Sequence, residues 1–449
     1  MSNAKNIAFV FIVGSWMLLQ SCSVSKQIHQ QAHKILLQDT VINTGHIGIS
    51  IYDPSTNRYL YNYNADKYFV PASNVKLFTL YAGMKYLGDS LVGGRYSEDW
   101  GNLYFQPAGD PTFLHPNFLK QPLLDLIQSS KGEIYIEPIS SHHKYGAGWV
   151  WHDYDKGYMP EKSLFPIYGN VVWLSSKPFI SETVKVDTLI DSIIDKRDIW
   201  AYVKPKYFAD KVFFVEKQFQ TSNRKINENK FFIDSVGDIK TIPFITNNGM
   251  TQLEILRSIT NKGFRFVMRG GEIKFKILHS QSSDSAFAFM MHNSDNFFAE
   301  QTLFMAGNEY LSRMNDEALI DTLLKKDLKD APQKLNWVDG SGLSRYNLFT
   351  PQSFVYILNK MKNEFGLERL KTILPTGGEG TLKNYYNSDS GFIYAKTGSL
   401  SNQIALSGFL ITKKNKLLVF SLLTNNAIGD GWRVRRAYEN FLKIFRERY

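Results

Sequence analysis

Apolar runs rich in Ile and Tyr occupy residues 46–52 and 58–63, separated by the turn-forming Asp53-Pro54-Ser55-Thr56-Asn57. That pattern predicts two strands joined as a hairpin. After Val70-Pro71-Ala72, the apolar positions Val75, Leu77, Phe78, Leu80, Tyr81 and Met84 predict a largely buried helix over 73–87. From about 88 to 241 the texture changes to short aromatic runs broken by turns, with charged stretches near 185–197 and 204–230. This part reads as mostly β, in one or two subdomains. Helical patterning returns at 251–260, 284–304, 316–328 and 351–363. Strands at 404–412 and 417–424 flank Lys413-Lys414-Asn415-Lys416, and 432–446 is a terminal amphipathic helix. Both ends of the chain therefore combine a helix with an antiparallel hairpin, as an interrupted domain carrying an insert would. No repeat of fixed period is present.

Composition narrows the class. The 449 residues are 43% hydrophobic and 14% aromatic, enough for substantial cores, so wholesale disorder is excluded. A mean hydropathy of −0.25 excludes a polytopic membrane protein. The single cysteine, Cys22, excludes an internal disulfide and any Cys-rich zinc or iron–sulfur site. A net charge of +10 admits an acidic polymer, an anionic membrane or nucleic acid as partner. The basic residues are scattered and no nucleic-acid-binding pattern accompanies them, so no nucleic-acid partner is expected. His142, His143 and His152 lack an H-E-x-x-H frame, and neither metal nor cofactor is expected. Gly88-Asp89-Ser90-Leu91 matches the start of a GDSL esterase, but no histidine lies beyond His292 to serve it.

Residues 7–19 form an apolar stretch behind Lys5. It is too short to span a bilayer, which takes about 20 residues, and reads as a secretory signal. It ends in Leu19-Gln20-Ser21-Cys22, which resembles a bacterial lipobox. The resemblance implies cleavage before Cys22, lipid on its sulfur, and a membrane-anchored place in the cell envelope or periplasm.

Three short motifs carry candidate chemistry. Ser73-Asn74-Val75-Lys76 is an S-x-x-K pattern, and on a helix positions i and i+3 share a face. A neutral Lys76 amine there can take the Ser73 proton as the serine attacks a carbonyl. The pattern also occurs at Ser2/Lys5, Ser23/Lys26 and Ser222/Lys225, but the Ser73 copy opens an apolar helix, where backbone N–H groups can meet an oxyanion. Ser294-Asp295-Asn296 is an S-x-N pattern in a loop-like gap; Ser55/Asn57 matches too. Lys396-Thr397-Gly398 is the chain's one K-T-G and follows an expected edge strand at 391–395. There Gly398 would let a substrate backbone lie close, and Lys396 would supply a fixed positive charge for a carboxylate. In the order S-x-x-K, S-x-N, K-T-G, the set is that of penicillin-binding proteins and β-lactamases.

More than two hundred residues separate Ser73 from Ser294. An insert of that size resembles the class C low-molecular-mass penicillin-binding proteins, the D-alanyl-D-alanine carboxypeptidase/endopeptidases of peptidase family S13. Gly109-Asp110-Pro111-Thr112, Gly148-Trp149-Val150-Trp151-His152-Asp153, Asp339-Gly340-Ser341-Gly342-Leu343-Ser344-Arg345 and Ala395-Lys396-Thr397-Gly398-Ser399-Leu400-Ser401 are similar to segments of that family. His152 stands where the family has the first aspartate of a D-D pair, and Pro166-Ile167-Tyr168-Gly169-Asn170 is altered. The resemblance implies an α+β fold of the penicillin-binding-protein/β-lactamase-like serine transpeptidase type, an antiparallel sheet flanked by helices with a largely β insert. It implies a signal peptide over 1–21, a catalytic domain over 22–88 and 246–449, and the insert over 89–245.

The implied activity is serine D-Ala-D-Ala carboxypeptidase and endopeptidase action on peptidoglycan stem peptides, with β-lactams entering the same path. Ser73 is the implied nucleophile, Lys76 the base, Ser294 a proton relay tuned by Lys396, and Asn296 a holder of substrate amide and Lys76. The N–H groups of Ser73 and Ser399 form the implied oxyanion hole. Thr397 and Ser399 hydroxyls bind the terminal carboxylate, and Asp153, Arg345 and Ser401 line a diaminopimelate pocket. Two rival readings are a catalytically weak peptidoglycan-binding lipoprotein scaffold and a β-lactamase.

Overall fold

The structure is a computed structural model that describes residues 29–137, 143–177, 192–196, 199–215, 222–234, 238–267 and 274–449. The expected signal peptide with Cys22, His142 and much of the 185–197 stretch lie outside the described residues.

The chain first builds a hairpin, β1 (His46–Asp53) and β2 (Arg58–Tyr63). Asp53 sets its turn by accepting from the Ser55 N–H at 2.8 Å and the Ser55 hydroxyl at 2.6 Å. A 3-10 turn, Ala72–Val75, then leads into helix α1 (Lys76–Tyr86), buried along most of its length.

The insert follows. It comprises β3 (Ser90–Asp99), β4 (Asn102–Pro107), α2 (Pro122–Ser129), β5 (Ile134–Ile136), β6 (Val171–Ser175), β7 (Ser192–Lys196) and β8 (Ile199–Lys204). Then come β9 (Val212–Phe214), β10 (Phe231–Ile233), β11 (Lys240–Pro243), α3 (Met250–Thr260), β12 (Phe264–Phe266) and β13 (Lys276–Ser282). These strands form a five-stranded sheet (β12-β5-β4-β3-β13), a four-stranded sheet (β11-β6-β8-β7) and the pair β10-β9. One apolar cluster, including Phe105, Ile134, Val172, Phe208, Phe231, Leu253 and Phe264, lies between them. The first strand, β3, and the last, β13, pair antiparallel, so the chain enters and leaves the insert at one place. Residues 246–282, which the sequence reading gave to the C-terminal part, contribute α3, β12 and β13 to this unit. An amphipathic helix such as α3 carries no mark of which core it will cover.

The remainder is helices α4 (Ser283–Asn293), α5 (Asn296–Leu311), α6 (Asp316–Lys325), α7 (Pro351–Phe365) and α8 (Leu367–Ile373), then β14 (Ile393–Leu400), β15 (Gln403–Ile411), β16 (Leu417–Asn425) and α9 (Gly431–Arg448). The last three strands join the first hairpin in one antiparallel sheet, β14-β15-β16-β1-β2, with His46 opposite Asn425. Its central strands β1, β15 and β16 are largely apolar on both faces because both are covered, whereas β2 at the edge is mostly exposed. Ile47, Ile49, Ile51, Phe420 and Leu422 pack with α9. On the other face Val419, Leu423, Ala405 and Phe409 pack with α1, α5 and α7.

Candidate active site

Ser73 lies in the 3-10 turn and Lys76 opens α1, so the two side chains stand about one turn apart on one face. Lys76 is fully buried. Its Nζ lies 3.0 Å from Ser73 Oγ, 2.6 Å from Asn296 Oδ1 and 2.7 Å from the Ser341 carbonyl. Burial lowers its pKa from 10.5 to about 8, although Asp295, Asp339 and Glu300 pull the other way.

The helix expected over 284–304 breaks between α4 and α5. Ser294 turns left-handed at φ 54, and Asp295 caps α5 by accepting from the Phe298 N–H at 2.8 Å. Ser, Asp and Asn favour such junctions because their side chains compete for backbone groups. The Asn296 amide nitrogen donates to the Tyr158 carbonyl at 2.9 Å, which fixes its oxygen toward Lys76.

Lys396 comes from β14, the edge strand of the main sheet. Its Nζ donates to Ser294 Oγ at 2.8 Å and to the Thr397 carbonyl at 2.7 Å. Burial, with Lys76 nearby, holds its pKa well below the ordinary lysine value. The fixed positive charge expected of Lys396 is therefore the form its surroundings oppose. Gly398 has a packing use besides the one expected of it. A Cβ there would sit 2.7 Å from the Pro71 carbonyl and 3.2 Å from Ala72 Cβ, so glycine lets β14 lie on the turn that carries Ser73. Thr397 is half-buried and Ser399 exposed, and Ser399 Oγ accepts from Arg435 of α9 at 2.7 Å. Asn74 donates to Ser407 on β15 at 2.7 Å, tying the same turn to the sheet.

Thr79 and Glu300 escaped the sequence reading, and the segment 339–345 enters it only as a family likeness. The loop 339–347 lies beneath Lys76. Glu300 accepts from the N–H groups of Gly340 (3.2 Å) and Ser341 (2.8 Å), and the Thr79 hydroxyl donates to the Gly340 carbonyl at 2.6 Å. Asp339 accepts from Gly342 N, Ser344 N, Asn347 Nδ2 and Trp149 Nε1 at 2.7–2.8 Å. Burial, with Asp339 nearby, raises the Glu300 pKa to about 7. Gly342 has φ 84, and a Cβ there would collide with the Ala72 carbonyl. The available signal was helical spacing: Thr79 is i+3 from Lys76, and Glu300 is i+4 from Asn296.

The three residues of the expected side-chain pocket are less closely joined. Asp153 is half-buried in the 3-10 turn Trp151–Asp153, Arg345 is exposed on the 339–347 loop, and Ser401 is exposed in the β14–β15 turn. The loop reaches the first of these segments, since a Cβ on Gly148 would meet the Tyr346 ring at 2.7 Å. No hydrogen bond among the described residues links the three side chains. Asp110 of the G-D-P-T segment is buried and accepts from the Thr112 N–H at 2.9 Å and hydroxyl at 2.7 Å, a local turn away from Ser73. The insert is fastened instead by Gln301 of α5, which donates to the carbonyls of Gly109 (2.8 Å) and Ser163 (2.6 Å). Among the described residues no group of His, Cys, Asp and Glu has metal-binding geometry, and no helix is long and apolar enough to cross a membrane.

The model of the D-Ala-D-Ala carboxypeptidase 3 (S13) family matches residues 28–192 and 276–444. A D-alanyl-D-alanine carboxypeptidase, DacB, of Haemophilus influenzae is 25% identical over 429 residues, 86% of each chain. The crystal structure of penicillin binding protein 4 from the same organism superposes with a TM-score of 0.71 at 20% identity, covering 94% of this chain and 99% of the other. A predatory peptidoglycan endopeptidase of Bdellovibrio bacteriovorus shares the fold at a TM-score of 0.51 and 14% identity, over 89% and 92% of the two chains.

Proposed function

The chain belongs to the D-Ala-D-Ala carboxypeptidase 3 (S13) family, and from that premise we propose that it removes the terminal D-alanine of peptidoglycan stem peptides with Ser73 as nucleophile. It is a serine-type carboxypeptidase and penicillin-binding protein of the cell envelope, working through an acyl-enzyme. The observation that carries the residue assignment is the surroundings of the Lys76 amine. Asn296 Oδ1 and the Ser341 carbonyl are acceptors only. They take the two N–H groups of a neutral amine and leave its lone pair facing Ser73 Oγ at 3.0 Å.

Ser73 Oγ attacks the carbonyl carbon of the D-Ala–D-Ala bond, and its proton passes to Lys76. The tetrahedral oxyanion is held by the N–H groups of Ser73 and Ser399. As the C–N bond breaks, Ser294 hands a proton to the departing amine and is resupplied through Lys76 or Lys396. Water then attacks the ester, returns a proton to Ser73 Oγ and releases the shortened peptide. Thr397 and Ser399 hydroxyls receive the terminal carboxylate, Gly398 keeps their strand on the nucleophile's turn, and Asp153, Arg345 and Ser401 face the third residue of the stem. A lipid on Cys22 would hold the enzyme at a membrane beside this substrate. A β-lactam follows the same acylation, with slow release.

Labelled penicillin tests the assignment: the wild type is expected to be labelled covalently and Ser73→Ala not, and equal labelling of both would overturn it. Muropeptides analysed by mass spectrometry define the reaction. Loss of one D-alanine marks carboxypeptidase action, monomers released from cross-linked dimers mark endopeptidase action, and labelling with neither marks a scaffold. Rapid turnover of a chromogenic cephalosporin would mark a β-lactamase.

A further inference from the structure

We propose that Arg435 is the cationic receptor for the carboxylate one carbon beyond the scissile nitrogen, acting together with Ser399. The proposal rests on the acyl-enzyme reading above and assigns a residue that the three motifs do not contain.

A site that binds a terminal carboxylate beside a fully buried lysine pair needs a cation that stays charged. Lys396 does not fit, because its amine is buried, bonded to Ser294 and the Thr397 carbonyl, and next to a second lysine. A guanidinium stays protonated and offers several N–H donors in one plane. Arg435 projects from the first turns of α9, and its Nη2 donates to Ser399 Oγ at 2.7 Å. Ser399 follows Gly398, which lies against the turn bearing Ser73. With one Ser399 lone pair taken by the guanidinium, the hydroxyl proton is free to point to an incoming carboxylate.

Its neighbours on α9 make Arg435 stand apart. Arg433 pairs with Asp39 at 3.1 Å, Arg446 with Asp389 at 2.9 Å, and Arg436 with Glu439. Among the described residues no carboxylate lies within 4.0 Å of Arg435, whose bonded partner is the exposed Ser399 hydroxyl. An anionic ligand would complete it. The carboxylate of a terminal D-alanine, the α-carboxylate beside a cross-link nitrogen and the ring carboxylate of a penicillin all present the same group.

The test is acylation of wild type, Arg435→Ala and Arg435→Gln by benzylpenicillin and by its methyl ester, which lacks the charge, with thermal melts of each protein. Wild type should prefer the acid. Both variants should lose about 10- to 100-fold in acylation by the acid, as expected for one charge-assisted contact, and change less than about twofold with the ester. With a D-Ala-D-Ala peptide the loss should fall on acylation and spare deacylation, because the carboxylate has by then departed. Folded variants that keep the acid–ester preference, or that lose both reactions equally, would overturn the role of Arg435 while leaving Ser73 labelling intact. Failure of wild type to be labelled at all would instead remove the underlying reading, and this proposal with it.

Discussion

Acylation should follow the neutral fraction of Lys76. Only the unprotonated amine can accept the Ser73 proton, and burial brings its pKa down to about 8. The second-order rate of penicillin acylation should therefore rise with pH below 8, by about tenfold per unit were Lys76 to titrate alone, and level off above it. At pH 7 roughly one Lys76 in ten is competent, against about one in three thousand for an ordinary lysine. Glu300 bends this line. Its pKa of about 7 means that it loses its charge as the pH falls, which removes one of the anions favouring the lysine's protonated form. The slope below about pH 7 should thus be shallower than tenfold per unit. Glu300→Gln should straighten the limb and move its midpoint below 8. Stability carries the same linkage. Unfolded Lys76 holds its proton up to about 10.5 and the folded one only to about 8. The native state is therefore disfavoured by roughly 3 kcal/mol below pH 8, and this contribution disappears as the pH rises from 8 to 10.5. Stopped-flow acylation by a fluorescent penicillin from about pH 5.5 to 9.5, with parallel melts of Ser73→Ala, reads both effects. A rate that is flat across the range, or still climbing in step at its upper end, would refute the reasoning.

Other expectations are briefer. Gly342→Ala forces a side chain onto φ 84 and into the Ala72 carbonyl; it should cost about 1–3 kcal/mol in urea melts and lower penicillin labelling at least about tenfold. Gln301→Leu leaves the Gly109 and Ser163 carbonyls without their donor and should cost about 2–4 kcal/mol, read as a lower urea midpoint. Thr350→Ala removes the cap of α7, where Thr350 and Ser353 bond reciprocally at 3.1 and 3.0 Å; it should cost about 1 kcal/mol and leave labelling unchanged. Cys22→Ala should abolish incorporation of radiolabelled palmitate and move the protein from the membrane to the soluble fraction, and continued incorporation would exclude lipid at that residue.

What the sequence made legible was local. The first hairpin was readable because its turn residues and apolar runs are contiguous, and the observed strands, His46–Asp53 and Arg58–Tyr63, follow those limits closely. The S-x-x-K spacing announced one helical face for the same reason. The break at Ser294 was legible only as a loop-like gap at its cap-forming residues, since apolar periodicity runs through it and reads as one helical stretch over 284–304. The contacts of Ser341, Glu300 and Asp339 with the lysine's surroundings depend on chain segments brought together only by folding. So does the electrostatic state of Lys396, because a lysine's charge in sequence does not reveal how dry its amine will be. Arg435 reads as one more basic position on an amphipathic helix until Ser399 is seen beside it.

The pairing of β1 with β16, which sets residue 46 opposite residue 425, also governs when the enzyme comes into being. Local helices and the insert's hairpins can order early, whereas this central ladder must close a loop nearly as long as the protein, the kind of contact that slows folding most. Lys396 and the strand that seats the Ser73 turn arrive in that same final stretch of chain. During export Ser73, the proposed nucleophile, thus emerges long before the surface that aligns it. The chain should remain unable to cut cell-wall peptides, or to react with penicillin, until its last strands have crossed and locked beside its first.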